Sequence, residues 1–228
     1  MEFFISLDSN FARKQLSLST SRRDHHHLFL SSTRSSREFL LCHSTISSFF
    51  TSASLVTVKH LSQTLTGVLN NGRTRLAITT CDGILCFGID ESLAVLYNPS
   101  TGKSKVLPPL KTCFQNLYTL VYDRMASNYK VIAIGYFNSI VGVNIHTLGT
   151  DYWTSIQDFP CSNHISKPGI FVNDTINWIA YDTNLPRDNV IISLDLEKES
   201  YQKLSPPLYN DDDTGSELPV ALGTLRGC

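Results

Sequence analysis

The sequence lacks the features of membrane-spanning, nucleic-acid-binding and secreted proteins. No run of about 18 apolar residues occurs, so no segment is predicted to cross a membrane as a helix. Lysine and arginine number 19 against 20 acidic residues, and this net charge of −1 gives no electrostatic basis for binding nucleic acid or an anionic membrane. Residues 1–5 contain neither a basic stretch nor a long apolar one, so a secretory signal is not expected.

The spacing of the cysteines matches no metal site. Of the 6 cysteines only Cys81 and Cys86 are close, and a continuous strand would point these two side chains to opposite faces. We expect free thiols in a reducing compartment, and therefore a cytoplasmic or nuclear protein. The histidines at 25–27 and the aspartates at 211–213 suggest metal sites, but adjacent histidines cannot all face one ion, and the aspartates lie in a turn-rich segment. We expect no metal and no cofactor.

Catalytic motifs are missing as well. The sequence contains no glycine-rich phosphate loop and no Gly-x-Ser-x-Gly nucleophile motif. His146 ends a predicted strand, where a solvated or hydrogen-bonded imidazole is more common than a general base. The sequence therefore predicts an interaction module and no enzyme. An uncharacterised enzyme on the same scaffold is the alternative class.

From residue 75 onward, short apolar runs alternate with turn residues. Asp82-Gly83 can adopt the positive φ of a two-residue hairpin turn, Asn98-Pro99 sets the entry to a wider turn, and Gly102 can take a left-handed conformation in it. The run 93–97 is apolar on both faces, which is typical of a strand covered on both sides. The predicted strands are 75–80, 83–88, 93–97, 104–107, 118–122, 130–137, 140–146, 153–156, 169–172, 175–181, 190–196, 200–204 and 218–225.

A repeat of apolar strands and a proline is visible in the same region. It recurs at Pro108, Pro160 and Pro206, in steps of 52 and 46 residues, which are close to the ~50 residues of a kelch-type blade. The sequence thus predicts an all-β fold of antiparallel four-stranded blades, an incomplete kelch-like β-propeller with about three blades. An irregular β-sandwich is the competing architecture. We expect Trp153 and Trp178 to fill spaces between blades; lining a partner groove is the alternative.

Six motifs in this region resemble, in order, the F-box-associated domain of plant F-box proteins. The first is CDGILC at 81–86, and the second is YNPSTG at 97–102 followed by Leu107-Pro108. The others are Tyr122-Asp123 with NYKVI at 128–132, VNI at 143–145 with Tyr152-Trp153, GIFV at 169–172 with NWIA at 177–180, and IISLDLEKE at 191–199. Each motif is short, but their order over residues 75–225 makes the resemblance specific.

The N-terminal segment resembles a different part of the same proteins. Residues 4–14, FISLDSNFARK, are similar to the end of the F-box, where its last helix runs out. The resemblance implies a short N-terminal helix and an adaptor-binding remnant formed by Phe4, Leu7 and Phe11. It also implies three regions: an F-box remnant at 1–18, a serine-rich linker with irregular first strands at 19–74, and a partial propeller-like domain at 75–228.

In that family the F-box holds a Skp-type adaptor, and the repeat domain holds the protein target of a Skp–cullin–F-box ubiquitin ligase. The resemblance therefore implies a target-recognition module. The earlier F-box helices have no counterpart, and residues 223–228 resemble the middle of a family strand, so we expect a product truncated at both ends. Such a chain is expected to bind the adaptor poorly. A competitor of full-length relatives and a nonfunctional remnant are the alternative functions.

Overall fold

Every regular element is a β-strand in the part of the chain that the computed structural model describes. That part comprises residues 27–34, 38–45, 57–59, 78–88, 92–99, 101–110, 114–137, 140–156, 159–160, 165, 167–181, 189–205 and 222–223. The helix predicted within the first twenty residues lies outside it, and the strand predicted at 218–225 lies almost wholly outside it.

The first three strands form a separate antiparallel sheet. Its central strand pairs with both neighbours, and the hairpin register opposes His27 to Thr45 and Arg34 to Glu38. These strands fall within 19–74, and the division of the chain at residue 75 stays a prediction. The strands are His27–Arg34 (β1), Glu38–Thr45 (β2) and Thr57–Lys59 (β3).

The next four strands form blade 1, in which each strand pairs with the next one along the chain. The first hairpin turns at Asp82-Gly83, where φ is 50° and 77°. The second closes when the Gly102 amide donates to the Asn98 carbonyl oxygen at 2.8 Å, with φ of 68° at the glycine. The strands are Ile78–Cys81 (β4), Ile84–Gly88 (β5), Ala94–Asn98 (β6) and Lys103–Val106 (β7).

Blade 2 follows with the same antiparallel order and longer central strands. Its first strand carries a register shift between Phe114 and Leu117, and its last strand is only two residues long. The strands are Phe114–Asp123 (β8), Asn128–Phe137 (β9), Ile140–Thr147 (β10) and Thr154–Ser155 (β11).

Blade 3 repeats the scheme once more. Its first turn, at Asn173-Asp174, has φ of 49° and 60°, values that asparagine and aspartate tolerate better than most residues. The strands are Ile170–Val172 (β12), Thr175–Tyr181 (β13), Asn189–Asp195 (β14) and Ser200–Leu204 (β15).

The three successive four-stranded sheets confirm the predicted all-β fold and its blade architecture. All the strand pairs in them are antiparallel. Strand β8 contacts both β4 and β12, so the first strands of the three blades are neighbours, as they are around the axis of a propeller. Two sheets packed as a sandwich would not bring three first strands together.

Blade 2 is buried on both faces, and β9 shows this most clearly. Val131 and Ala133 belong to the core between blades 1 and 2. The intervening Ile132 and Ile134 belong to the core between blades 2 and 3. All four side chains are at most 2% exposed. This two-sided burial explains why central strands are apolar at every position.

One prediction about the cysteines is wrong. Cys81 and Cys86 lie on the same face of blade 1, and both belong to the core shared with blade 2. The turn at Asp82-Gly83 reverses the chain between them, so the alternation of a continuous strand does not apply. Both are free thiols. Burial raises the pKa of each thiol to about 12, which makes them poor nucleophiles.

Trp178 lies at the centre of the core between blades 2 and 3. It is 1% exposed, and the Phe159 ring meets it edge to face with centroids 5.7 Å apart. Gly169 approaches the indole so closely that a Cβ there would lie 2.7 Å from its Nε1. Only glycine leaves room for the indole at this point.

We predict that Trp178→Ala lowers the free energy of unfolding by about 3–5 kcal/mol, because it removes a large buried ring and leaves a cavity. Urea denaturation followed by far-ultraviolet circular dichroism measures this. The control is Tyr152→Ala, since that side chain is 65% exposed and its loss should leave the unfolding midpoint unchanged. Equal midpoints for wild type and Trp178→Ala would contradict a core role.

Candidate functional site

In each blade the turn between the first and second strands and the turn between the third and fourth strands lie at the same end. At this end the Tyr129 hydroxyl of blade 2 donates to Asp82 Oδ2 of blade 1 at 3.1 Å. At the opposite end Ile165 links blades 2 and 3: its amide donates to the Tyr136 hydroxyl at 2.9 Å, and its backbone bridges to Ala180. The three blades therefore point the same way. We call the surface formed by the turn residues 82–83, 99, 101–102, 124–127, 148–153, 173–174 and 196–199 the turn end.

The backbone of the turn end is fixed by side chains at the starts of the turns. Asp123 Oδ1 accepts hydrogen bonds from the amides of Met125 and Ala126 at 2.9 and 3.0 Å. Asp195 Oδ1 accepts two bonds of 3.0 Å in the same way. All the described residues with positive φ also lie at this end: Asp82, Gly83, Gly102, Ser127, Gly149, Asn173, Asp174 and Glu199. Turns built in this way present their exposed side chains in defined positions.

Two of the turn aspartates form ion pairs. Lys130 Nζ lies 2.6 Å from Asp123 Oδ2. Burial acts to raise the pKa of Asp123, but the hydrogen bonds from Lys130 and the turn amides outweigh it, and the pKa lies below its ordinary value. Lys198 Nζ lies 2.9 Å from Asp195 Oδ2 and lowers the pKa of that carboxyl through its hydrogen bond. The second pair is exposed and contributes little stability.

The other charges of the turn end are mostly negative, and the same end carries two exposed apolar side chains. Met125 is 79% exposed and Tyr152 is 65% exposed, both on blade 2. Apart from the two ion pairs, these turns contain the cation Arg124, and Lys103 directly follows one of them as the first residue of β7. The carboxylates outside those pairs are Asp82, Asp151, Asp174, Glu197 and Glu199.

Trp153 joins blade 2 to the segment that follows blade 1. Its Nε1 donates to the Pro108 carbonyl oxygen at 2.8 Å. The half-buried ring packs against the core between blades 1 and 2, with its centroid 6.2 Å from that of Tyr118 and 5.2 Å from that of His146. The structure thus places Trp153 between blades 1 and 2, and Trp178 between blades 2 and 3.

His146 is fully buried beside Trp153. Its Nδ1 lies 3.0 Å from the Tyr152 carbonyl oxygen, which requires a proton on Nδ1, and its Nε2 has no partner among the described residues. Burial lowers the pKa of His146, with a further decrease from Lys105; the Tyr152 carbonyl and Asp151 act in the opposite direction without reversing it. The imidazole is neutral here and holds the loop that presents Tyr152.

Thr119 and Gly169 connect blades 2 and 3. The Gly169 amide donates to Thr119 Oγ1 at 3.0 Å, and Thr119 Oγ1 lies 3.4 Å from the Gly169 carbonyl oxygen, to which it donates. Both groups are buried. This contact is not visible in the sequence, because it depends on two residues 50 positions apart in different blades.

The residues singled out in the sequence occupy turns and blade junctions and do not converge on one cleft. Asp82-Gly83 forms the β4–β5 turn, and Asn98, Pro99 and Gly102 form the β6–β7 turn. Residues 1–18, with Phe4, Leu7 and Phe11, lie outside the described part, as do the side chains of 25–27 and 211–213.

In the described part of the chain, no group of three or more His, Cys, Asp or Glu side chains could hold a metal ion. None of the described residues forms a helix long and apolar enough to span a membrane.

The sequence is similar to that of a known protein family. The model of a family described as the F-box associated beta propeller domain matches residues 37–227. This match includes all three blades and the strands β2 and β3.

Relatives in Arabidopsis thaliana show the same similarity. The chain is 28% identical to the F-box/kelch-repeat protein At3g23880 over 162 residues, and 27% identical to the putative F-box protein At3g16210 over 141 residues. These matches cover 66% and 60% of this chain but only 43% and 39% of the relatives. The chain therefore spans less than half the length of the relatives it matches.

The buried imidazole leads to a prediction about pH. Because the pKa of His146 is lower in the folded state than its ordinary value of about 6.5, the unfolded chain binds more protons below that pH. The contribution of the neutral imidazole to the free energy of unfolding is complete above pH ~6.5 and is lost as the pH falls through the folded-state pKa. Each unit by which the folded-state and unfolded-state pKa values differ changes the unfolding equilibrium constant by about tenfold. Urea midpoints measured from pH 8 to pH 5 should therefore decrease.

The matched control is His146→Gln, which cannot titrate in this range. Its urea midpoint should be nearly constant between pH 8 and pH 5, although lower than the wild-type midpoint at pH 8. The hydrogen bonds to Asp123 and Asp195 hold the pKa of each carboxyl below its ordinary value, so these two groups do not titrate in this window. A His146→Gln variant with the same pH slope as the wild type would assign the effect to other histidines.

Proposed function

Because the chain belongs to the F-box-associated β-propeller family, we propose that it is the target-recognition module of a Skp–cullin–F-box ubiquitin ligase. The match of the family model over residues 37–227 carries this proposal. In this role the blades hold a protein target, and the chemistry of ubiquitin transfer belongs to other subunits. The names of the Arabidopsis relatives, which are F-box proteins, support the same assignment.

The geometry of the described residues suits binding. The blades form a scaffold with buried faces, and their turns display exposed side chains on a backbone held by Asp123 and Asp195. Binding residues are commonly found on loops positioned by such a rigid scaffold. We propose that the protein acts in the cytoplasm or the nucleus, where its thiols stay reduced and ubiquitin ligases work.

The adaptor is a separate part of the proposal. Specific protein complexes bury about 1,200–2,000 Å² of surface in total. Phe4, Leu7 and Phe11 match only the last helix of an F-box, and one short helix supplies too little of such an interface. We therefore propose that residues 1–228 by themselves can bind a target but do not hold the Skp-type adaptor.

We predict that the purified 228-residue chain does not retain a purified Skp-type adaptor at micromolar concentration. A chimera with a complete F-box fused before residue 19 is the matched control and should retain it. Retention by the 228-residue chain itself would contradict the prediction and would show that residues 1–18 carry more of the interface than their sequence implies.

The proposed role itself is tested by reconstitution. Proteins labelled in plant cells by the chain fused to a proximity-labelling enzyme, but not by the Trp178→Ala variant, are candidate targets. With the purified ligase, the F-box chimera should transfer ubiquitin to such a target, whereas the 228-residue chain should block that transfer. If no labelled protein becomes ubiquitinated by the chimera, the chain is not a target-recognition module.

A further inference from the structure

We propose that the turn end of blade 2 is the docking surface for the target, and that it takes a protein segment with basic side chains around an apolar anchor. This inference rests on the proposed function, because it names the surface and the target chemistry of that same module. It is carried by the exposure of Met125 and Tyr152, the turns that hold them and the charges around them.

Met125 and Tyr152 are the apolar part of this surface. They are the two most exposed large hydrophobic side chains among the described residues, at 79% and 65%. Tyrosine and methionine are enriched at protein interfaces. The exposure of both on one blade end therefore points to a protein partner.

The two side chains belong to neighbouring segments. The Asn128 side chain donates to the Leu148 carbonyl oxygen at 3.0 Å, and the Leu148 amide donates to the Tyr129 carbonyl oxygen at 2.9 Å. These bonds hold the loop with Tyr152 against the start of β9, next to the turn with Met125. A strand spacing of about 4.8 Å places the β8–β9 turn and the β10–β11 loop roughly 10 Å apart, within reach of one peptide segment.

Both segments are fixed before any partner arrives. Asp123 holds the turn of Met125 through two amide hydrogen bonds. His146 binds the Tyr152 carbonyl oxygen, and the Thr150 hydroxyl donates to the Thr147 carbonyl oxygen at 2.8 Å. A surface ordered in advance loses little backbone entropy on binding, so its exposed side chains contribute more to affinity.

The charges around the two side chains select the partner. Asp151 directly precedes Tyr152, Asp82 reaches blade 2 through its bond with the Tyr129 hydroxyl, and Arg124, which directly precedes Met125, is the cation of the blade 2 turns outside the ion pair of Lys130. The excess of carboxylates over cations in the described turns contrasts with a net charge of only −1 for the whole chain. Complementary charge then favours a lysine- or arginine-rich segment, and the same field repels nucleic acid.

Three fluorescent synthetic peptides with a central leucine test the preference against the full chain by anisotropy. Their flanking residues are lysine and arginine, serine, or glutamate and aspartate. The basic probe should bind at least about tenfold more tightly than the acidic one, and its affinity should fall with added salt. Equal binding of the three probes, or preference for the acidic probe, overturns the proposal.

Variants locate the surface. The double variant Met125→Ser, Tyr152→Ser should bind the basic probe about tenfold or more weakly than the wild type, because the loss of central interface side chains has effects of this size. Asp151→Lys should weaken it several-fold and flatten the salt dependence. The matched controls Val106→Ser and Leu204→Ser remove exposed apolar side chains from the edge strands β7 and β15, and they should leave the affinity for the basic probe unchanged. An equal loss in the controls overturns the proposal.

The same variants separate this inference from the proposed function. If the F-box chimera with Met125→Ser, Tyr152→Ser and Asp151→Lys still ubiquitinates the target at the wild-type rate, the docking surface is wrong and the recognition role stands. If ubiquitination of the target is lost while circular dichroism and the urea midpoint are unchanged, the docking surface is supported.

Discussion

The burial of blade 2 on both faces is the constraint on which the rest of the structure depends. Alternate side chains of β9 enter two different cores, so blade 2 is the shared wall of both. Each core is completed by the neighbouring blade, and each junction adds a polar contact: Trp153 to Pro108 on one side, Thr119 to Gly169 on the other. Removal of either neighbour would expose one face of blade 2 to water.

This constraint also fixes the turn end. The first strands of the three packed blades run the same way, and that orientation places the turns of the turn end on one side. The bond between Tyr129 and Asp82 and the ordering of the Tyr152 loop by His146 are consequences of the same packing. The surface proposed to meet a protein target is therefore a product of the cores, and changes inside a junction should alter it.

Much of the fold could be predicted from the sequence, because turn residues and apolar runs are local signals. Asp82-Gly83 and Gly102 marked their turns, and blade strands begin within about four residues of the expected positions. Contacts between blades could not be predicted in the same way, since Thr119 and Gly169 meet only after folding. The burial of His146 could have been inferred from the sequence. Val143 and Ile145 point to one face of their strand, so Asn144 and His146 point to the other face, towards blade 1, and a central strand is buried on both faces.

Native-state hydrogen exchange at low denaturant tests most directly whether the three blades form one cooperative unit. The amides of Leu85, Ile132 and Ile192 lie in central strands of blades 1, 2 and 3, and they report on the three blades separately. The account predicts that Ile134→Ala, which removes a side chain from the core between blades 2 and 3, lowers the protection of all three amides equally. Unchanged protection at Leu85, together with a loss at Ile192, would contradict it and would show that blade 1 is stable without its neighbours.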